Sequence, residues 1–338
     1  MRYLFGFLYV CVLGVMGCGE AAGTAGSGGS AGTGGAAGNG GAGGAGGSDA
    51  SGWVAQNSGT ETDLIAVSFI NANTGTAVGD GNIVRTTDGG ATWVEPQVLG
   101  TGESLWGVSV IDADAGIAVG DFGTVIRTTD GGVTWAKQTT GTESDLWAVS
   151  FADANTGTVV GSDGTILRTT DGGVNWNPQT SGTPNTLFGV SFTDANTGTA
   201  VGREGTIVRT TDGGATWGPQ TSGTTNALIG VSFTDANTGT AVGRGPTILR
   251  TTDGGDTWMP QTSGTTNDLR SVSFTDANTG TAVGDNGTIL RTTDGGATWV
   301  TQNSGTTKGL QGVWFTDANT GTAVGVEGTI LRTTDGGG

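Results

Sequence analysis

Thr288-Ile289-Leu290-Arg291-Thr292-Thr293-Asp294-Gly295-Gly296-Ala297-Thr298-Trp299 is the stretch on which the fold turns. A short β-rich run ends in Asp-Gly-Gly, where the carboxylate can accept turn amides and the two glycines permit positive φ. A tryptophan follows five residues after the aspartate and is expected to pack back over the hairpin. Thr-Thr-Asp-Gly-Gly recurs with its aspartate at Asp88, Asp130, Asp171, Asp212, Asp253, Asp294 and Asp335, at spacings of 42, 41, 41, 41, 41 and 41. Six copies continue to Trp93, Trp135, Trp176, Trp217, Trp258 and Trp299.

A period of this length marks one supersecondary unit stacked on its copies. In the third unit four β-rich runs, 146–151, 158–161, 165–170 and 175–179, are divided by turn residues. No run has helical periodicity. The spacing therefore predicts an all-β, seven-bladed propeller with four antiparallel strands per blade. The seventh copy stops at Gly338, short of its tryptophan, while Trp53-Val54-Ala55-Gln56-Asn57-Ser58-Gly59-Thr60 matches Trp299 to Thr306. The N-terminal strand is expected to complete the last blade and close the ring without an exposed edge.

Outward from the repeats, the chain divides in three. Residues 1–17 carry Arg2 and an apolar run that ends near Met16, too short to span a bilayer comfortably, and read as a signal peptide. Val15-Met16-Gly17-Cys18 resembles the bacterial lipobox, which implies cleavage before Cys18, lipidation of that cysteine and anchoring in a membrane. Gly19 after it points to the outer membrane, on its periplasmic side or at the cell surface. Residues 18–52, almost entirely Gly, Ala, Ser and Thr, read as a disordered tether with an r.m.s. span of roughly 30 Å. Residues 53–338 are the propeller.

Composition narrows the function. The net charge is −17, which disfavours nucleic acid as a partner. There is no histidine, and the two cysteines, Cys11 and Cys18, lie outside the repeats, so no cofactor or metal site is expected. The recurring Asp-Ala-Asn-Thr-Gly turns superficially resemble a calcium loop but lack its further acidic ligands, and read as hairpin turns.

The 288–299 segment and its copies resemble the photosystem II stability and assembly factor family, and share the Asp-box of sialidases and xyloglucanases. The resemblance covers Trp53 to Gly338. It implies a binding propeller whose arginines contact protein partners; the matching residues are Arg85, Arg127, Arg168, Arg209, Arg250, Arg291 and Arg332. One arginine in every blade equally fits a repeated structural contact. A sialidase needs a tyrosine nucleophile, but Tyr3 and Tyr9 are the only tyrosines and both lie in the signal peptide. Carboxylates for another glycosidase would be Asp121, Asp163 and Glu204, on loops too short for a deep cleft.

Comparing the blades with one another separates two faces. The Asp-boxes and Asp-Ala-Asn-Thr-Gly turns barely vary. The turn between the second and third strands does vary, as does the residue just inside each first strand: Ile65, Trp106, Trp147, Phe188, Ile229, Arg270 and Gln311. The candidate binding face is therefore Trp106, Phe122, Trp147, Phe188, Arg203, Arg244 and Arg270; the alternative is that the rings wedge between blades and the charges are solvated tips. The Asp-box aspartates and their tryptophans, Trp53 included, are expected to be structural. The sequence thus points to a monomeric, lipid-anchored, non-enzymatic scaffold of the cell envelope with a protein partner. A carbohydrate-binding or glycoside-hydrolase-like propeller is the alternative.

Overall fold

Each repeat folds as an antiparallel meander, because its β-rich runs are separated by turns too short for any other connection. In a computed structural model that describes residues 52–95, 97–98 and 102–338, blade 3 comprises Leu146–Phe151, Gly157–Gly161, Thr165–Thr169 and Asn177–Thr180, paired in that order. The expected lipobox cysteine Cys18 and the signal peptide lie outside the described residues, as does the tether except for Gly52.

The second strand is buried along its whole length in all seven blades. Both of its faces meet apolar side chains, which is why Gly-Thr-Ala-Val-Gly shows no polar alternation. The core consequently lies between blades. Val160 and Ile166 of blade 3 pack with Leu187, Phe192, Ala200, Val208 and Trp217 of blade 4. The glycines at the ends of this strand are required by close approach: a Cβ on Gly198 would lie 2.4 Å from the Phe192 ring, and one on Gly202 would lie 2.1 Å from the Thr186 carbonyl oxygen.

The ring closes as expected. Val54–Gln56 pairs antiparallel with Thr329–Thr333 and forms the outer strand of a sheet completed by Gly321–Gly325 and Leu310–Phe315. The Gly52 amide donates to Asp335 Oδ2 at 2.9 Å, so the box whose own tryptophan is missing is capped from the other end of the chain.

Blade 1 departs from four full strands. Leu64–Phe69, Gly75–Gly79 and Ile83–Thr86 form its sheet, and the outer strand is reduced to one bridge, Arg85 with Val94. Proline, which has no amide to donate, follows at position 96. Gln97–Val98 instead pairs in parallel with Thr134 and Trp135 of blade 2. One extra residue in this connection accounts for the single spacing of 42.

A second irregularity recurs in every blade. The ladder between the first and second strands skips one residue directly after the leading leucine. The skipped residues are Ile65, Trp106, Trp147, Phe188, Ile229, Arg270 and Gln311, the same positions whose variation marks the candidate face. A bulge re-aims its side chain out of the sheet, so these seven are presented together at one end of the first strands.

Candidate functional site

The box face is built by local chemistry. In blade 4, Asp212 Oδ1 accepts the Thr216 amide and the Thr210 hydroxyl, while Oδ2 accepts the Thr216 hydroxyl at 2.6 Å. Thr210 Oγ1 in turn accepts the Gly214 amide. These hydrogen bonds hold the Asp212 carboxyl down at about 2, and Asp88, Asp130, Asp171, Asp253 and Asp294 are lowered to the same value for the same reason. Asp335 is lowered first by the Gly52 amide. In the Asp-Ala-Asn-Thr-Gly turn, Asp153 Oδ1 accepts the amides of Asn155 and Thr156, which keeps its carboxylate inside the hairpin.

The box tryptophans face the preceding blade as well as their own hairpin. Trp217 Nε1 donates to Gln179 Oε1 of blade 3, and Gln179 Nε2 donates to the Gly213 carbonyl of blade 4. At five of the boundaries the glutamine three residues after a tryptophan thus clamps the next box. Gln56, Gln220, Gln261 and Gln302 do the same for Trp93, Trp258, Trp299 and Trp53. Each of these tryptophans also meets a phenylalanine of its own blade edge to face, as Trp217 does Phe192 at 5.9 Å and 80°.

The repeated arginines reach across the same boundaries. Arg168 Nη1 donates to Thr158 Oγ1, Nη2 to the Ala195 carbonyl of blade 4, and the guanidinium lies 5.0 Å from the Phe192 ring centre. Arg209, Arg250, Arg291 and Arg332 repeat the arrangement on Phe233, Phe274, Phe315 and Phe69. Burial pulls the Arg168 guanidinium below its ordinary value, opposed by Asp153.

Blade 2 breaks this pattern on both sides. Ile117 stands where Thr158 or Thr199 stands elsewhere, so Arg127 has no hydroxyl to meet. Its Nε donates to the Gly172 carbonyl at 2.8 Å, the oxygen that a glutamine takes at the regular junctions. Ile117 also occupies the space over Gly173 that Gln179 fills over Gly214. Gln138 turns back to the Ala136 carbonyl, and Trp176 Nε1 is buried with no partner among the described residues. At the boundary with blade 1, Arg85 lies over Gly131 and Gly132, Val110 replaces the phenylalanine, and Trp135 Nε1 likewise has no partner among the described residues.

The opposite face carries the candidate binding residues. Trp106 and Trp147 meet with ring centres 4.8 Å apart and planes 40° apart, and Trp147 meets Phe188 edge to face at 5.6 Å. All three are half-buried bulge residues on successive blades. In blades 2, 3 and 6 the bulge side chain bonds to its own blade's turn tip. Trp106 Nε1 donates to Asp121 Oδ1 at 2.6 Å, Trp147 Nε1 to Ser162 Oγ at 3.1 Å, and Arg270 makes a two-pronged ion pair with Asp285 at 2.9 and 3.0 Å. Phe122 is 67% exposed at φ 53°, and its amide donates to Asp145 Oδ1. Arg203 and Arg244 are exposed at the tips of blades 4 and 5. The aromatic residues and Asp121 are therefore in one contiguous group, while Arg270 is held two blades away from Phe188.

Burial is the largest influence on Asp121 and raises its carboxyl, assisted by Asp145 and Asp80 and opposed by the Trp106 hydrogen bond. Asp163 and Glu204 stand exposed at the left-handed positions of their own blades' tips, at φ 55° and 57°. One residue was not singled out by sequence: Trp314, 40% exposed, occupies the position that is serine in the other six blades. That serine accepts an amide of the next first strand, as Ser150 does from Phe192, and the Ser-to-Trp exchange was the available signal.

Comparison with known proteins places this geometry. The sequence model of the family described as Photosynthesis system II assembly factor YCF48 matches residues 47–138, 181–260 and 220–301, together more than half of the chain. No curated protein sequence matches the chain. The solved structure described as YCF48 bound to D1 peptide is similar over 83% of this chain and 96% of its own, at 21% identity and a TM-score of 0.72. YCF48 from Cyanidioschyzon merolae is similar over 83% of this chain and 98% of its own, at 22% identity and 0.70. The GH74 xyloglucanase from Xanthomonas campestris is similar at 14% identity and 0.67, over 84% of this chain but 53% of its own. At these identities the structural likeness speaks for the fold alone.

Proposed function

The chain belongs to the Photosynthesis system II assembly factor YCF48 family, and on that premise we propose that it is a non-enzymatic, protein-binding assembly factor whose partner docks on the variable face. The observation that carries this reading is the contiguous aromatic arc Trp106, Trp147 and Phe188, raised out of the sheets by bulges beside the exposed Phe122. Large, rigid aromatic rings are the side chains that most often anchor protein contacts. The relative described as bound to D1 peptide supports a protein partner. The reading includes lipid anchoring through Cys18 in the outer membrane, on the strength of the Val15-Met16-Gly17-Cys18 stretch.

A glycan-binding reading has one observation in its favour, the touching pair Trp106 and Trp147, a surface on which a sugar ring could stack. The two readings separate in a crosslinking pull-down from fractionated cell envelopes. The intact protein is compared with a Trp106→Ala, Trp147→Ala, Arg203→Ala, Arg244→Ala variant of unchanged folding, and with Cys18→Ala. We expect a protein partner captured by the parent and lost in the fourfold variant, and Cys18→Ala released from the membrane fraction. Equal capture by parent and fourfold variant would remove the partner from this face, and retention of Cys18→Ala in the membrane would remove the anchor.

A further inference from the structure

We propose that the aromatic and acidic half of the variable face, over blades 1 to 3, receives a lysine- or arginine-bearing segment of the partner; this rests on the protein-binding reading above. The charges of the face are sorted. Its cations Arg203, Arg244, Arg270 and Lys308 belong to blades 4 to 7, where Arg270 pairs with Asp285 and Lys308 with Glu327 at 3.2 Å, and Lys137 of blade 2 stands 4.0 Å from Glu103. At the Trp106 and Trp147 end of the aromatic arc the charges are instead Asp121, Asp145 and Asp80, close enough to act on one another, and Glu143 precedes Asp145 in the same connection.

These carboxylates are joined to the arc by direct contact. Asp121 accepts from Trp106, and Asp145, two residues before Trp147, accepts the amide of Phe122. Asp121 is partly desolvated and feels repulsion from both Asp145 and Asp80, which an arriving cation would relieve. Nearby, Glu103 Oε2 is buried without a hydrogen-bond partner among the described residues, its ion pair with Lys137 being a long 4.0 Å.

Phe122 adds an independent observation. It is a bulky residue in the left-handed region, where the equivalent positions are Gly81, Asp163, Glu204, Gly245, Asn286 and Glu327. The left-handed backbone is shared by the tips of blades 2, 3, 4, 6 and 7, and at blade 2 it carries a large aromatic ring, 67% exposed, beside the arc. Tryptophan faces beside carboxylates suit a guanidinium or ammonium group, through cation–π attraction and ion pairing together. The overall charge of −17 adds steering of the same sign. A neutral sugar would stack on the rings and donate hydroxyls to the carboxylates, but would leave the repulsion among them in place.

The test is titration calorimetry of the full chain with three probes: a short alternating Arg-Ser peptide, the same peptide with Glu for Arg, and a xyloglucan oligosaccharide. The Arg peptide is expected to bind, to weaken several-fold between about 50 and about 300 mM salt, and to lose at least about tenfold in affinity in both Trp147→Ala and Asp145→Asn. Asp145→Asn keeps an acceptor for the Phe122 amide, and Trp147→Ala keeps the charge, so general attraction to an acidic protein cannot imitate the pair. Trp314→Ala is expected to bind as the parent does. Equal binding of the acidic peptide, retention of the Arg peptide in both variants, or binding of the sugar alone would overturn the proposal. An unbound Arg peptide together with a pull-down partner lost in the fourfold variant would overturn this inference and leave the protein-binding reading standing.

Discussion

The boundary between blades 3 and 4 and the boundary between blades 2 and 3 are made from almost the same repeat, yet they are wired differently. At the first, Arg168 bridges Thr158, Ala195 and Phe192, leaving Gln179 to hold Trp217 and the Gly213 carbonyl. At the second, Ile117 removes one hydroxyl. Arg127 then takes the Gly172 carbonyl, Gln138 falls back on its own strand, and Trp176 loses its partner. The repeat encodes relations between blades rather than blades themselves. One apolar substitution therefore redistributes three polar side chains, because each buried donor must find some acceptor.

The largest test of this view is at the seam. Residues 52–60 supply Trp53 to the clamp of Gln302 and Gln56 to the clamp of Trp93, so their removal disrupts two boundaries and opens a sheet edge. Deleting them is expected to cost more than about 4 kcal/mol in urea unfolding and to produce oligomers on size exclusion. A truncated protein as stable and as monodisperse as the parent would refute the shared-boundary view.

A smaller effect sharpens the comparison directly. Trp217→Phe strands the Gln179 acceptor, whereas Trp176→Phe strands nothing, so the first should cost about 1 kcal/mol more than the second. Ile117→Thr offers Arg127 its hydroxyl and frees the Gly172 carbonyl for Gln138. In that background the two Trp→Phe costs should converge, as measured by denaturant midpoints. A gap that persists would mean that Ile117 is not the cause of the rewiring.

The smallest effect contrasts carboxylates on opposite faces. The Asp212 carboxyl is depressed to about 2, so its contribution to stability is present above its unfolded value near 4 and lost as pH falls toward 2. Asp121 is raised, so its charge opposes folding once pH exceeds the unfolded value, and protonation relieves that cost. Melting temperatures of Asp212→Asn should fall below the parent at pH 7 and meet it near pH 2. Those of Asp121→Asn should lie slightly above the parent at pH 7 and meet it near pH 4. The reverse order at pH 7 would contradict both assignments.

Much of the fold was legible because it depends on period. The seven Asp-Gly-Gly turns and the Trp53 match specified the blade number, strand count and closure, whereas the altered connection before blade 2 left only an uninterpreted spacing of 42. The bulges were legible only as variation at Trp106, Trp147 and their equivalents. A skipped ladder position leaves no residue signature when the residue itself is free to vary. The glutamine clamp was visible as a recurrent Gln three residues after tryptophan, but its partner belongs to another repeat, and within one repeat it looks like an ordinary surface residue. The family followed from the arginine-bearing box, whereas the ion pair of Arg270 with Asp285 and the left-handed Phe122 emerge only in the folded blade, because both depend on how a tip folds over a bulge.

The closing strand also bears on how the ring is made. Gly52 bonds to Asp335 across 283 positions of sequence and Trp53 to Gln302 across 249, while the other blades complete their sheets within one repeat. Local meanders can form and stack early, since they cost little loop entropy. The seam has to wait until six blades have curved far enough to bring the two ends together. Acquisition of the native ring is thus timed by its least local contact, and a chain paused before that step would carry an unpaired Thr329–Thr333 edge open to a neighbouring molecule.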